Sequence, residues 1–247
     1  SGLYLVSTPI WNMEDITIRA INILKNSDLI LCEDTRRSQT LLSHFQIKKK
    51  LVAYHKFNEK KISNKIIDII KKNKIVSIIS DAGTPAISDP GMILINQCIN
   101  ENLNIYPIPG PSSVTSAVSV SGFKDQYFFY GFLPKKESEI HNIFKKCSNL
   151  DCSIVFFIPS LKINFYIPKI KEFFSDRKIL VAKEMTKIHE NYIRNDVSLL
   201  KNLPDNFKGE LTVVLSEKIG DKKNKEIIIE SVKVEIKKML KKYSHKD

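Results

Sequence analysis

The sequence has little of what marks membrane, secreted or metal-binding proteins. Its 247 residues include no apolar run near the ~18 residues that a membrane span needs, so we expect no membrane segment. The first residues lack the basic and apolar regions of a signal peptide, and we therefore expect a cytoplasmic protein. The cysteines are scattered and no cluster of cysteine or histidine is present, which predicts free thiols and no metal site: Cys32, Cys98, Cys147 and Cys152.

Arginine is also scarce, although the chain is strongly basic. Only five of the 39 basic residues are arginine, and the net charge is +12. A positive charge of this size is compatible with binding a polyanion such as RNA. A general drift of composition toward lysine, isoleucine and asparagine explains the charge equally well, because its lysines raise the charge without any such role. The basic clusters at residues 36–37, 48–50, 60–61 and 135–136 are therefore either phosphate contacts or ordinary solvated faces.

The order of apolar segments predicts two α/β units followed by a helical tail. Over residues 1–120, short runs rich in β-branched residues alternate with amphipathic helical patterns. This alternation is typical of a mostly parallel sheet covered by helices on both faces. Residues 121–220 begin with an aromatic strand and predict a second unit with a mixed sheet. Residues 221–247 carry apolar residues at four-residue steps, which predicts a helix with a basic outer face.

The segment with the strongest functional pattern is residues 80–91, which read SDAGTPAISDPG. It follows an apolar strand, precedes a helical pattern and contains two of the eight glycines of the chain. In α/β proteins, loops at the carboxyl ends of parallel strands bind ligands through their backbone N–H groups. A tight connection between a strand and a helix, without any ligand, explains the same composition equally well.

Six segments, taken together and in register, resemble one enzyme family. They read LVSTPI at residues 5–10, EDTR at 33–36, SDAGTPAISDPG at 80–91, PIPGPS at 107–112, GFLP at 131–134 and KEMTK at 183–187. The resemblance covers residues 3–217 and is to the ribosomal small-subunit RNA (cytidine-2′-O)-methyltransferases, a group within the tetrapyrrole methylases. It implies two α/β domains with S-adenosylmethionine in the cleft between them, no metal, and a homodimer. The implied activity is methylation of a ribose 2′-hydroxyl of a decoding-region cytidine in 16S ribosomal RNA.

The resemblance also places the cofactor against loops from both units. The residues expected to line its pocket are Pro9, Ile10, Asp81, Gly83, Thr84, Pro85, Ile87, Ser112, Ser113, Pro159, Ser160 and Gly209. Prolines fix the shape of a loop before binding, and glycine lets the backbone come close to a ligand. Exposed N–H and C=O groups of such loops can then bind the adenine and the amino-acid end of the cofactor.

A polar rim is expected around the substrate ribose, because a ribose hydroxyl is a poor nucleophile while it is protonated. The residues expected in this catalytic rim are Asp34, Arg36, His55 and Glu184. None is singled out as the base, since an Asp–Arg ion pair or a surface histidine explains most of them. Two further carboxylates have simpler interpretations, Asp81 as a cap of its own loop and Asp89 as the N-cap of the following helix.

Two departures from the family pattern keep other functions open. Trp11 stands where the family usually has glycine, so a large ring lies beside the cofactor or covers the cleft. Residues 158–162 read IPSLK, where the family usually has a carboxylate and an arginine. The sequence is thus also compatible with a methyltransferase for a tetrapyrrole or another small molecule, although the EDTR motif and the basic charge argue against it. A non-catalytic RNA- or ribosome-binding module is the second alternative.

Overall fold

The computed structural model describes residues 1–204 and 207–219, which form two separate five-stranded sheets. The basic helix expected within residues 221–247 lies outside the described residues. Among the helices that are described, none is both long enough and apolar enough to cross a membrane.

The first sheet is built from the first five strands of the chain. These strands are β1 (Gly2–Val6), β2 (Leu29–Cys32), β3 (Leu51–Ala53), β4 (Ile75–Ile78) and β5 (Ile105–Ile108). The helices between them are α1 (Ile18–Asn26), α2 (Thr35–His44), α3 (Glu59–Lys71) and α4 (Met92–Asn100). The strand order is β3-β2-β4-β1-β5, and every described pairing is parallel, which confirms the predicted topology.

Alternate residues of these strands bury opposite faces of the first sheet. In β2, Leu29 and Leu31 pack with α3 and α4, whereas Ile30 and Cys32 pack with α1 and α2. Because helices cover both faces, each strand needs apolar residues at every position rather than at every second one. This double coverage explains why the short strands appear in the sequence as continuous apolar runs.

The second sheet is mixed, as predicted. Its strands are β6 (Tyr127–Phe132), β7 (Ser153–Pro159), β8 (Lys178–Lys183), β9 (Asn191–Asp196) and β10 (Glu210–Leu215), in the order β6-β7-β10-β8-β9. Strands β6 and β7 are parallel, and the remaining pairs are antiparallel. One face packs against α6 (Glu137–Cys147) and α7 (Ile163–Phe174). Short 3₁₀ helices occupy Met13–Asp15, Ser160–Lys162 and Val197–Leu199.

Helix α5 (Ser113–Ser119) connects the two sheets. It follows the last strand of the first sheet, yet its buried residues Val114 and Ala117 pack against Val155, Leu180 and Val214 of the second sheet. The division expected at residue 120 falls between α5 and β6 and stays a prediction. By packing, however, α5 covers the face of the second sheet that α6 and α7 leave open.

Candidate functional site

A cavity of about 480 Å³ lies where the carboxyl ends of the first-sheet strands meet the second sheet. The first wall consists of residues from the loops after β1, β4 and β5, the start of α5, and Arg37 of α2. The second wall consists of the ends of β6, β7 and β10 and of Met185, which follows β8. Because all five strands of the first sheet run in one direction, their following loops gather at the same edge. The volume falls within the range of about 300–1,000 Å³ typical of small-molecule sites.

Hydrogen bonds fix the three loops of the first wall relative to one another. Thr8 and Gly83 exchange both backbone hydrogen bonds, with N–O distances of 2.9 and 3.1 Å. Thr84 Oγ1 donates to the Pro111 carbonyl at 3.0 Å and accepts from Ser7 Oγ at 3.2 Å. Gly83 has a φ of +78°, a conformation that is strained for residues with a side chain. The protein alone therefore holds this wall in shape.

Ten of the twelve residues expected in the cofactor pocket line this cavity. They are Ile10, Asp81, Gly83, Thr84, Ile87, Ser112, Ser113, Pro159, Ser160 and Gly209. The other two, Pro9 and Pro85, are buried and do not line it, so they shape the loops from within. The role of all twelve in cofactor binding stays a prediction.

Several other lining residues were not among those expected in the cofactor pocket. They include Arg37, Ala82, Asp89, Phe132, Phe157, Leu161, Met185 and Thr212. Ala82, Asp89, Phe132 and Met185 lie within segments that carry the family resemblance. Phe132 packs against Phe157 with ring centroids 5.1 Å apart. The rest lie next to predicted residues along the chain, but which of them face the cavity depends on the packing of the second sheet.

Asp34 and Arg36 form an ion pair beside the cavity rather than within it. Asp34 is the N-cap of α2 and accepts the Arg36 N–H at 2.8 Å, while Arg36 Nη2 lies 3.1 Å from Asp34 Oδ2. The Arg36 guanidinium and backbone N–H hold the pKa of Asp34 below its usual value. Asp81 was expected to cap its own loop, and this expectation is wrong. Its Oδ1 instead accepts the Asp34 N–H at 3.2 Å. Its Oδ2 lies 3.4 Å from Arg37 Nη1, so Asp81 fastens the start of α2 to the cavity wall.

Glu184 lies on the side of the second wall that faces away from the cavity, where it contacts Gly209 and Glu210. Its Oε1 accepts hydrogen bonds from the Glu210 N–H at 2.8 Å and from Lys187 Nζ at 2.9 Å. Burial raises the pKa of Glu184, but the Glu210 N–H and the Lys187 charge outweigh it and lower the pKa overall. Gly209 has a φ of +125°, and a Cβ there would lie 2.5 Å from Glu184 Cγ. Only glycine therefore fits between Glu184 and the cavity.

His55 lies away from the cavity. It follows β3, an edge strand separated from β4 by β2, and neighbouring strands lie ~4.8 Å apart. Its N–H donates to Asn58 Oδ1 at 2.9 Å, and its ring packs edge-on against Phe57. The buried Nδ1 has no hydrogen-bond partner among the described residues. The four residues expected in the rim are therefore not brought to a single point.

Asp89 lines the cavity, and its expected role as a helix N-cap is wrong. The cap position of α4 is Gly91, where no side chain makes a capping hydrogen bond. The pKa of Asp89 is raised to about 6, first by burial and then by the charges of Glu33 and Asp81, against the opposing effect of Lys56. A carboxyl group with this pKa changes its protonation state close to neutral pH.

The loop after β1 also contacts the second half of the chain. The N–H groups of Trp11 and Asn12 both donate to Thr186 Oγ1, at 3.1 and 3.2 Å. The Trp11 ring is 63% exposed, and Lys187 Nζ lies 4.8 Å from its centroid. Trp11 does not line the cavity. It instead covers Lys187, the residue that pairs with Glu184 and Glu210.

The unusual segment at residues 158–162 completes the second wall without a charged group. Strand β7 ends at Pro159, and a 3₁₀ helix follows over Ser160–Lys162. Pro159, Ser160 and Leu161 line the cavity, whereas Lys162 does not. Over the described part of the chain, no group of three or more His, Cys, Asp or Glu side chains is placed to hold a metal ion.

Comparison with known proteins assigns these features to a family. Residues 2–200 match the family described as Tetrapyrrole (Corrin/Porphyrin) Methylases. The chain is similar to "Ribosomal RNA small subunit methyltransferase I" of Thermotoga maritima, with 43% identity covering 87% of this chain and 98% of that protein. It is also 43% identical to the protein of the same name from Rickettsia prowazekii, covering 93% of this chain and 83% of that protein.

Solved structures confirm the predicted fold class. A diphthine synthase superposes with a TM-score of 0.69 at 14% identity, covering 87% of this chain and 90% of that one. A uroporphyrin-III-C-methyltransferase from Thermus thermophilus superposes with a TM-score of 0.60 at 16% identity, covering 87% and 93%. At such low identity, these similarities establish the architecture alone.

We expect Asp89→Asn to stabilise the fold at pH 8 by about 2 kcal/mol, because the ionised carboxylate is disfavoured in its half-buried position. The folded-state pKa lies above the unfolded one, so the native state binds more protons and loses stability as the pH rises through the interval from about 4 to about 6. The gain should therefore shrink at pH 5. Urea unfolding at both pH values measures it.

Asp68→Asn is the matched control, since Asp68 is an exposed residue of α3. Its effect should be small and equal at the two pH values. A gain for Asp89→Asn that is no larger at pH 8 than at pH 5 would contradict the unfavourable ionisation of Asp89.

Proposed function

This chain belongs to the tetrapyrrole (corrin/porphyrin) methylases, and on that premise we propose that it transfers a methyl group from S-adenosylmethionine to a ribose 2′-hydroxyl of a cytidine in 16S ribosomal RNA. The observation that carries the proposal is the cavity between the two sheets. Five of the six segments that resemble the ribosomal RNA enzymes contribute a residue to its lining. Relatives named as ribosomal RNA small subunit methyltransferases match most of this chain and most of their own length.

The residues of the cavity fit S-adenosylmethionine. Apolar surface for an adenine ring comes from Ile10, Ile87 and Met185, and hydroxyl groups come from Ser112 and Ser113. Gly83 on the first wall and Gly209 on the second both have positive φ. They leave backbone groups open to the cavity, where a side chain would otherwise project. When bound, this cofactor supplies a methyl group attached to a positively charged sulfur.

The contribution of the protein is to hold the reacting groups in place. The first wall is pre-organised by the hydrogen bonds between its loops, so binding does not have to order it. The second wall is held by Glu184 behind Gly209 and Glu210. Placing a hydroxyl oxygen close to the methyl carbon, in line with the bond that breaks, supplies much of the rate of a displacement reaction.

The RNA is proposed to approach along the start of α2. The side chains of Arg36 and Arg37 are 91% and 67% exposed, and carboxylates of Asp34 and Asp81 orient them. A guanidinium group held in this way suits a phosphate, which it can bind through two parallel hydrogen bonds. Arg37 also lines the cavity, so an RNA backbone bound here reaches its mouth. In this proposal, Asp34 orients Arg36 and does not itself react.

We expect Ala82→Phe to abolish cofactor binding, because Ala82 is exposed on the cavity wall and a phenyl ring there occupies the space of the ligand. The test incubates the protein with methyl-labelled S-adenosylmethionine and isolated small ribosomal subunits, and then maps the labelled nucleotide. The wild type should label a cytidine ribose of 16S RNA, and Ala82→Phe, without bound cofactor, should label no nucleotide. Ser138→Phe, an equally bulky change at an exposed site of α6, should act like the wild type.

The other functions give different results in the same assay. Label in a base contradicts the 2′-hydroxyl as acceptor. Transfer to a porphyrin instead of RNA supports a small-molecule methyltransferase. Cofactor binding by the wild type without transfer to either substrate supports a binding module.

We expect Arg36→Ala to raise the KM for small subunits about fivefold and to weaken its dependence on salt concentration, because one phosphate contact is lost. Affinity for S-adenosylmethionine, measured by calorimetry, should not change. Arg19→Ala is the control, since Arg19 is an exposed arginine of α1 that does not line the cavity. An unchanged KM for Arg36→Ala would exclude the proposed approach of the RNA.

We further infer that the protein is cytoplasmic, because the proposed substrate is the ribosomal subunit. We also infer a homodimer, because an aromatic strand edge is exposed. Strand β6 ends the second sheet, and Tyr127, Phe128 and Tyr130 are exposed along it. Such an edge suits association with a second copy of the chain. Sedimentation equilibrium at micromolar concentration should give the mass of two chains, and the mass of one chain would exclude the dimer.

A further inference from the structure

The loop after β3 presents an aromatic ring to solvent at the same edge of the first sheet as the cavity. Phe57 is 98% exposed, and its ring packs edge-on against His55 with ring centroids 5.9 Å apart. This loop follows the carboxyl end of β3, just as the cavity loops follow the carboxyl ends of β1, β4 and β5. A single exposed apolar side chain is ordinary on a protein surface, so a role for Phe57 depends on what surrounds it.

Hydrogen bonds hold this loop in a fixed shape. The Asn58 side chain accepts the His55 N–H at 2.9 Å and donates to the Ala53 carbonyl at 2.9 Å. The His55 carbonyl accepts the N–H groups of Asn58 and Glu59, at 2.9 and 3.0 Å. Phe57 lies within this hydrogen-bonded turn, so its ring projects from a backbone that ligand binding does not have to order.

Positive charges lie around the ring and reach toward the cavity. Lys56, Lys60 and Lys61 are exposed next to it along the chain. Burial and nearby carboxylates raise the pKa of Asp89 in the cavity, and the charge of Lys56 opposes this rise. Since β2 lies between β3 and β4, and neighbouring strands are ~4.8 Å apart, the loops after β3 and β4 leave the sheet roughly 10 Å from each other. The start of α2, where the RNA is proposed to approach, follows β2 and lies between these loops.

We propose that Phe57 is a stacking platform for an unpaired base of the RNA, close to the nucleotide that is methylated. This inference rests on the proposed function, since it takes the substrate to be RNA. An aromatic face stacks on any base, while basic side chains around it contact the phosphates of the same strand. A base stacked on Phe57 fixes the strand along the protein surface and so aligns a neighbouring ribose with the cavity.

The first experiment measures methyl transfer to isolated small subunits by wild-type protein, Phe57→Ala, Phe57→Leu and Phe57→Trp. Phe57→Ala and Phe57→Leu should raise the KM about tenfold, because neither side chain has an aromatic face, whereas Phe57→Trp should stay within about twofold of the wild type. Affinity for S-adenosylmethionine should not change in any variant. Ile18→Ala, which removes an exposed apolar side chain of α1, is the control and should act like the wild type.

Salt concentration distinguishes stacking from a phosphate contact. Losing a phosphate contact weakens the salt dependence of binding, as expected for Arg36→Ala, whereas losing a stacked base releases no fewer counterions. The ratio of the KM values of Phe57→Ala and the wild type should therefore be the same at about 50 mM and about 200 mM salt. A ratio that approaches one at the higher salt concentration would contradict stacking.

A second readout does not depend on turnover. The chain has one tryptophan, Trp11, so Trp11→Phe combined with Phe57→Trp leaves a single indole, at the platform. An oligouridylate without secondary structure should quench its fluorescence by about half, because its bases are free to stack, and a duplex RNA of equal length should not. Trp11→Phe combined with Ile18→Trp is the matched control, and its indole should show no such quenching.

The outcomes separate the two proposals. If the wild type methylates small subunits and the KM of Phe57→Ala or Phe57→Leu equals that of the wild type, Phe57 is not a platform and the proposed function stands. If Phe57→Ala has half the wild-type mass in sedimentation equilibrium, the ring contacts a second copy of the chain, and the assignment is overturned. If the wild type transfers no methyl group to RNA but oligouridylate quenches the indole of Phe57→Trp, the proposed function fails and the platform stands.

Discussion

The site depends on one short pairing, the two backbone hydrogen bonds between Thr8 and Gly83. Strands β1 and β4 are parallel neighbours, so their following loops leave the sheet side by side at the same edge. The antiparallel bridge closes the loops onto each other just beyond the sheet edge. It needs a positive φ at residue 83, which is why glycine stands there. The hydroxyls of Ser7 and Thr84 extend the same connection to Pro111 and so to the third loop.

Much of this architecture could be predicted because it follows from local patterns. Burial of both sheet faces requires continuous apolar strands, and continuous strands separated by amphipathic helices indicate a parallel sheet. The parallel direction in turn gathers the loops after β1, β4 and β5 at one edge, where most residues expected in the cofactor pocket lie. The tetrapyrrole methylase architecture, including its mixed second sheet, could thus be predicted from composition, spacing and resemblance together.

The roles of charged side chains could not be predicted in the same way. Asp89 precedes a helix, and local rules favour a cap, but the chain turns so that Gly91 begins the helix and Asp89 faces the cavity. Asp81 bonds to Asp34, a residue 47 positions away, and Glu184 faces Gly209 across neighbouring strands. His55 follows a strand like the others, but only the strand order places it at the far edge of the sheet. Each of these outcomes is decided by contacts between distant segments.

Helix α5 has a consequence for the behaviour of the whole chain. Its residues follow the first sheet, while its buried face completes the core of the second. One face of the second sheet is therefore covered by a helix that precedes all of its strands in the chain. Ser112 and Ser113, at the start of this helix, line the cavity, so the segment that joins the cores also belongs to the ligand site. A ligand bound in the cavity therefore stabilises both the loop after β5 and the packing of α5 on the second sheet.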